Sequence, residues 1–153
     1  MPTPSEPTAF RERLAPGPWM FIALLLLVPA VMLVMTPLNA SLAIPVAVIL
    51  YAVIAASLML LAPVVTVEDA VLTAGHARIP VDQLGEIEVL DADALRQAIG
   101  PGLDARAYLM VRGYIHSAVR VAVTDPGDPA PYWVITTRKP KTLAAAIAAA
   151  RTA

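Results

Sequence analysis

The chain has 153 residues, of which 58% are hydrophobic and 15% are charged, and its mean hydropathy is +0.70. This composition differs from that of soluble globular domains and is typical of a small membrane protein. The net charge of −1 argues against a nucleic-acid-binding protein, because such proteins usually carry a strong basic excess. The chain has no cysteine and only two histidines, so we expect no disulfide, no metal and no cofactor.

Residues 1–18 form a proline-rich segment that should remain a flexible N-terminal tail, because its composition cannot build a core. Within it, Phe10 and Leu14 are four residues apart, with Arg11 and Arg13 between them. Two interpretations are open for this short stretch. It forms one turn of helix at the membrane interface, or it is merely solvated.

Two apolar runs without any charged residue follow, at about 19–37 and 42–65. Because roughly 20 helical residues cross the ~30 Å hydrocarbon core, each run predicts one membrane span. The first run is longer than a signal-peptide core and the second follows almost at once, so we expect no cleavage. The sequence thus predicts a transmembrane helical hairpin over residues 19–65.

The orientation follows from the positions of the basic residues. Arg11 and Arg13 precede the first span, the connecting loop has no basic residue, and Arg78 follows the second span. The positive-inside rule then places both termini in the cytoplasm of a multi-pass protein of the cell membrane. Trp19, with the two arginines, is a candidate membrane-interface residue. Small residues of the second span offer a surface for close helix approach, namely Ala52, Ala55, Ala56 and Ser57.

Residues 66–153 change from helical to alternating periodicity and predict one small cytoplasmic domain. The predicted elements are a hairpin in 71–80 with a turn at Ala74-Gly75, a strand at 84–91, a helix capped by Asp91 or Asp93, paired strands at 106–115 and 117–124, a strand at 132–138, and a helix from Pro140 or Lys141 to about Arg151. The fold class is therefore an α+β membrane protein. Its domain should be a small antiparallel β-sandwich or partly open barrel with a C-terminal capping helix.

The order of these parts resembles the bacterial pleckstrin-homology-like membrane proteins. A closer resemblance is to an actinobacterial membrane family known only as a domain of unknown function. The stretches that carry it are Glu12-Arg13-Leu14, 74–80, Gly100-Pro101 with 104–109, 125–133, and 137–140. The resemblance implies a pleckstrin-homology-like cytoplasmic domain and a membrane location. It brings no activity and no catalytic residues.

The paired strands 106–115 and 117–124 predict an outward face of Tyr108, Arg112, Tyr114 and Arg120. A short loop near His116 would place Arg112 opposite Arg120, and like charges in such a pair are destabilising. Two interpretations are open. A carboxylate of Glu86 or Glu88 offsets the repulsion, or an anionic ligand such as a lipid phosphate or a partner's carboxylate binds there.

A second basic cluster, Arg138, Lys139 and Lys141, stands at the start of the last helix. Cations at this position oppose the helix dipole unless an anion shares the site. A phospholipid headgroup is one candidate anion, and the alternative is that the side chains are simply solvated.

The sequence contains no recognisable catalytic motif, so we expect no enzyme. We expect a membrane protein of uncharacterised function whose domain acts as a binding or scaffolding module at the inner leaflet, with another membrane or membrane-associated protein as partner. One alternative is an anionic-phospholipid-binding module. Another is an accessory subunit of a transporter or cell-envelope enzyme.

Overall fold

The computed structural model describes residues 10–153, so the part of the predicted flexible tail before Phe10 lies outside the described residues. The described chain divides into two compact units. One is a helical unit of residues 15–62. The other is a domain built from both sides of that unit, residues 10–14 and 63–153, which we call the discontinuous domain.

The helical unit contains α1, Pro18–Leu25, and α2, Leu27–Leu60. The interruption between them follows from Pro29, whose ring clashes with the carbonyl four residues earlier, at Leu25. By length and composition, residues 10–153 contain one candidate membrane-crossing helix, Pro18–Leu60. The most apolar stretch of 18 residues in this helix contains no buried residue. This count differs from the two spans that the sequence predicts.

The long helix is broken at Asn39, whose backbone is extended (φ −159°, ψ 99°). The Asn39 carboxamide oxygen accepts a hydrogen bond from the backbone N–H of Ser41 at 3.1 Å, as the residue capping a new helix does. The Tyr51 hydroxyl donates to the Phe21 carbonyl oxygen at 3.4 Å, whereas residues this far apart along an unbroken helix would be separated by about 45 Å. The chain therefore bends back at Asn39.

The buried residues of α2 are Ala43 and Ala47, which share a helix face with Tyr51. Their small side chains allow close approach of the backbones. The surface predicted for this role is different, since Ala52 and Ala56 are exposed.

The discontinuous domain contains eight strands in two four-stranded sheets. The strands are β1 Phe10–Arg13, β2 Val64–Glu68, β3 Val71–Ala74, β4 Ala77–Pro80, β5 Leu84–Leu90, β6 Tyr108–Met110, β7 Ala118–Val123 and β8 Tyr132–Thr136. A 3₁₀ turn occupies Val81–Gln83, and the helices are α3 Ala92–Ile99 and α4 Pro140–Thr152. The first sheet has the antiparallel order β1-β2-β3-β4, and the second has the order β5-β7-β8-β6 with β6 parallel to β8.

The two sheets and α4 share one hydrophobic core. Val65 and Leu72 come from the first sheet, Val121 and Ile135 from the second, and Leu143 from α4. A smaller cluster lies on the opposite face of the second sheet, where α3 packs. The second sheet is therefore covered by apolar contacts on both faces at the α3 end.

Several predicted elements are confirmed. The hairpin β3–β4 turns at Gly75, whose φ of +64° is readily adopted by glycine. Asp91 caps α3, and its carboxylate oxygen accepts a hydrogen bond from the backbone N–H of Ala94 at 2.8 Å. The strands β5 and β8 and the terminal helix also occur close to their predicted bounds.

The predicted tail and span boundaries require correction. Residues 10–13 are neither an interfacial helical turn nor a flexible tail but strand β1, paired with β2. The spacing of Phe10 and Leu14 fits both a helical face and every second residue of a strand, so the pattern could not decide. The second apolar run ends its helix at Leu60, because Pro63 cannot continue it and the β-branched Val64 and Val65 enter β2.

The predicted pairing of 106–115 with 117–124 is wrong. Strand β6 is only three residues long and pairs in parallel with β8, so Arg112 does not lie opposite Arg120. The face of β6 is also reversed, since the Tyr108 ring packs on Trp133 while Leu109 is partly exposed, whereas Arg120 lies outward on β7 as predicted. Alternation gives the period of a strand but not which face turns inward, and tyrosine suits either environment.

Candidate functional site

The side of the second sheet that faces away from the main hydrophobic core carries a charged pair between neighbouring strands. Glu88 on β5 lies directly opposite Arg120 on β7, and their Oε2 and Nη2 atoms are 2.5 Å apart. The Arg120 guanidinium also lies 5.5 Å from the centroid of the Tyr132 ring. The interpretation that a neighbouring carboxylate balances Arg120 is therefore confirmed, with Glu88 as the partner. Because both side chains are 40–47% exposed, the pair contributes only about 0–1 kcal/mol.

Beside this pair is an open depression of about 260 Å³. Its lining residues are Glu86, Glu88, Arg120, Ala122, Pro131 and Tyr132. The Tyr132 hydroxyl accepts a hydrogen bond from the backbone N–H of Asp104 at 2.9 Å, which fixes the ring. Two carboxylates and one guanidinium give this surface, which we call the outer face, one excess negative charge. It can contact polar or basic side chains of a partner.

The two predicted surface tyrosines serve the interior instead. The Tyr108 ring centroid is 4.6 Å from that of Trp133, and its hydroxyl donates to the Ala74 carbonyl oxygen at 2.8 Å. The Tyr114 hydroxyl donates to the Leu14 carbonyl oxygen at 2.6 Å. Both hydroxyls are thus committed to backbone carbonyls of the first sheet and its end.

Glu12 is the residue of the candidate site that was not predicted from the sequence. Its carboxylate accepts hydrogen bonds from the Thr137 hydroxyl and from the backbone N–H of Arg138, at the start of α4. Glu12 therefore supplies an anion to the basic helix start, where a headgroup or simple solvation had been the two predicted alternatives. Phe10, Glu12 and Leu14 are every second residue of this stretch. If the stretch is interpreted as a strand, Glu12 is predicted to face inward with Phe10 and Leu14.

The remaining predicted cations lie near this helix start. Arg112 follows β6 and its backbone N–H donates to the Thr136 hydroxyl at 3.0 Å, while Arg138 follows β8. The Arg138 guanidinium lies 6.0 Å from the Tyr114 ring centroid. Lys139 and Lys141 are exposed.

The predicted membrane-interface residues lie in both units. Arg11 and Arg13 are exposed on β1, where they alternate with the inward Phe10 and Glu12. Trp19 belongs to α1 and is 73% exposed.

The exposed ion pair of Asp104 and Arg106 lies outside these surfaces, and both residues have shifted pKa values. The guanidinium and backbone N–H of Arg106 both donate to the Asp104 carboxylate, and these hydrogen bonds lower the pKa of Asp104. The same contact raises the pKa of Arg106. Within residues 10–153, no group of three or more His, Asp or Glu side chains could hold a metal ion.

These features define an α+β protein with an apolar helical unit inserted into a two-sheet domain. The family model described as a protein of unknown function (DUF3093) matches residues 9–147, and the chain belongs to this family. No curated protein matches the chain, and no solved structure matches it.

Proposed function

We propose that this protein is a membrane-anchored binding module whose helical unit crosses the bilayer twice and whose discontinuous domain lies at the cytoplasmic face of the cell membrane. One observation carries the proposal. The backbone N–H of Leu14 donates to the Pro63 carbonyl oxygen at 2.9 Å, and these residues directly flank the apolar unit.

That hydrogen bond restricts the number of crossings. A chain that crossed once would leave residues 14 and 63 separated by roughly the 30 Å of the hydrocarbon core. The hydrogen bond between the two residues supports an even number of crossings. The break at Asn39 divides Pro18–Leu60 into two stretches of about 21 residues, and each is about 31 Å long as a helix. This length supports two crossings.

The exposed surface of the helical unit supports contact with lipid. Leu26, Leu33 and Leu60 are each more than 70% exposed, and the unit has no charged residue. Contiguous apolar surface of this kind is unfavourable in water and favourable in a bilayer. Arg11 and Arg13 before the unit, with no basic residue at the Asn39 bend, support a cytoplasmic domain.

Cysteine labelling tests this topology cleanly, because the chain has no cysteine of its own. We would introduce Ala40→Cys at the bend and, separately, Ala153→Cys at the C-terminus, and label intact cells with a membrane-impermeant maleimide. The expected result is labelling of Ala40→Cys in intact cells and of Ala153→Cys only after permeabilisation. Protection of both sites in intact cells, or labelling of Ala153→Cys without permeabilisation, would contradict the proposed topology.

The binding surface that we propose for a membrane-associated protein partner is the outer face. Tyrosine and arginine at the centre of a depression are the residue types that dominate interface energies, and Arg120 and Tyr132 supply them. The tyrosines predicted to share this surface are committed to the interior. The outer face is therefore smaller than predicted and more acidic.

A charge swap separates binding from folding at this surface. Arg120→Glu alone places like charges opposite each other, whereas Glu88→Arg with Arg120→Glu restores an ion pair of opposite direction. If a partner recognises these charges, copurification from native membranes should be lost in both variants, although only the single variant loses stability. Copurification retained by the double variant would remove the charged pair from the interface.

A pleckstrin-homology-like identity for the domain is part of the same proposal. Two four-stranded sheets followed by a terminal helix support it. The parallel pairing of β6 with β8 departs from the all-antiparallel sandwich that the resemblance implies.

A further inference from the structure

We infer that the end of the discontinuous domain nearest Leu14 and Pro63 is a docking site for anionic phospholipid headgroups. This inference rests on the proposed membrane anchor. We call this end the junction end, and the basic cluster on it consists of Arg112, Arg138, Lys139 and Lys141.

The topology of the second sheet brings the cluster together. Strands β6 and β8 are parallel neighbours, so their carboxyl ends meet at one edge of the sheet. Arg112 follows the first strand, and Arg138 and Lys139 follow the second. The Thr136 hydroxyl holds the two ends together, because it accepts from the backbone N–H of Arg112 and donates to the Met110 carbonyl oxygen.

The cluster adjoins the point where the chain enters the apolar unit. The Arg138 guanidinium lies over the Tyr114 ring at 6.0 Å, and the Tyr114 hydroxyl is bound to the Leu14 carbonyl oxygen. Leu14 is the last residue of the domain before the helical unit. The cluster thus lies at the end of the domain that the chain would tether to a bilayer, where attraction to anionic headgroups acts over a Debye length of about 8 Å at ~0.15 M salt.

The charge of the cluster is only partly balanced from within. Glu12 is the carboxylate bonded to the helix start. Within residues 10–153, Lys139 and Lys141 form no ion pair, and the buried Nε of Arg112 has no hydrogen-bond partner. The charges of Lys139 and Lys141 are therefore the ones that an anionic surface can neutralise.

The opposite end of the domain is acidic. Three connecting segments meet there: the β2–β3 turn, the 3₁₀ turn and the loop after β7. The backbone N–H of Val81 donates to the Ala70 carbonyl oxygen, and the backbone N–H of Thr124 donates to the Gln83 carbonyl oxygen. The acidic residues of these segments are Glu68, Asp69, Asp82, Asp125 and Asp128. The domain is thus polarised with its positive end toward the apolar unit's attachment point, which fits an anionic bilayer and would repel it in the reverse orientation.

Native mass spectrometry of the full chain in detergent micelles tests the site, with phosphatidylglycerol and phosphatidylcholine as probes. The test variant is Lys139→Gln with Lys141→Gln, whose side chains are exposed. The matched control is Arg96→Gln with Arg106→Gln, which removes the same charge from cations paired elsewhere. Each lost cation should weaken phosphatidylglycerol binding about fivefold, hence about 25-fold for the test variant.

The expected result is preference of the wild-type chain and the control for phosphatidylglycerol, and loss of that preference in the test variant. Equal binding of both lipids by the wild-type chain, or equal loss in the control, would overturn the inference. Displacement of phosphatidylglycerol by an equal concentration of inorganic phosphate would also overturn it, because a free phosphate group would then be the ligand. Cysteine labelling at Ala40 and Ala153 reports separately on the anchor, so failure of lipid docking and failure of the topology are distinguishable.

Discussion

The insertion of the helical unit into a β-hairpin can be tested by removing it. Strands β1 and β2 pair in continuous antiparallel register up to Arg13 and Val64, and Leu14 and Pro63 are hydrogen-bonded beyond that pair. Residues 15–62 therefore occupy the place of a hairpin loop. Replacing them by a turn of about two to four residues should give a domain that folds without detergent.

The structure gives the sizes of the expected effects. Shortening a flexible connection from 48 residues to about four lowers its closure entropy cost by about 2 kcal/mol, an upper bound because the helical unit is ordered. A matched fragment, residues 63–153, lacks β1 and so loses the buried Phe10 and Leu14 and the hydrogen bonds of Glu12. Those losses amount to about 6 kcal/mol, comparable with the whole stability of a small domain.

Urea unfolding monitored by tryptophan fluorescence measures the outcome, because excision removes Trp19 and leaves Trp133 as the reporter in the core. The excised variant should unfold cooperatively, and the fragment 63–153 should be unfolded without urea. The reasoning is refuted if the fragment is as stable as the excised variant, or if the excised variant is insoluble and unfolded.

Three further substitutions test particular contacts by urea unfolding of the excised variant. Glu12→Ala should cost about 2–3 kcal/mol, because it leaves donors at the start of α4 unpaired, and a loss below about 0.5 kcal/mol would contradict this role. Gly75→Ala should lower the free energy of unfolding by about 1–2 kcal/mol, since φ is positive at Gly75 and the new Cβ would lie 3.3 Å from the Met110 sulfur. An unchanged urea midpoint would contradict this strain. The pKa of Asp104 is lowered by Arg106, so the Asp104 carboxylate stabilises the folded domain above its unfolded pKa of about 4, and this contribution is lost as the pH falls. Asp104→Asn should therefore destabilise the domain at neutral pH and leave its stability unchanged in acid. Equal losses of stability at both pH values would refute this prediction.

Local patterns predicted much of the domain because local chemistry decides them. The turn at Gly75, the capping carboxylate of Asp91 and the β-branched run of β8 each need only neighbouring residues, and all are found. The face of β6 was wrong because it depends on Trp133, which is distant in sequence. Pairing of β6 with β8 instead of β7 is likewise a tertiary choice that periodicity does not encode.

Prediction of the candidate site failed where the domain is discontinuous. Glu12 and the helix start are separated by more than 120 residues and an apolar unit, so no spacing rule joins them. The basic cluster was located from the sequence with two alternatives, an anion that shares the helix start or simply solvated side chains, and the structure provides a carboxylate from the segment that was interpreted as a tail. A carboxylate partner for Arg120 was predicted, but from an opposition of Arg112 and Arg120 that does not occur; the structure pairs Arg120 with Glu88 across β5 and β7 instead.

The position of Glu12 also determines how the junction end should distinguish among lipids. Its carboxylate already accepts from the Thr137 hydroxyl and the backbone N–H of Arg138, so these oriented donors are not open to a phosphate. What remains for a headgroup is the charge of exposed side chains, above all Lys139 and Lys141, which have no fixed geometry. Lysine ammonium groups on flexible side chains respond to the charge of a headgroup and not to its shape. Binding should therefore follow the negative charge of the lipid and fall steeply with salt, with little difference between anionic headgroups of equal charge.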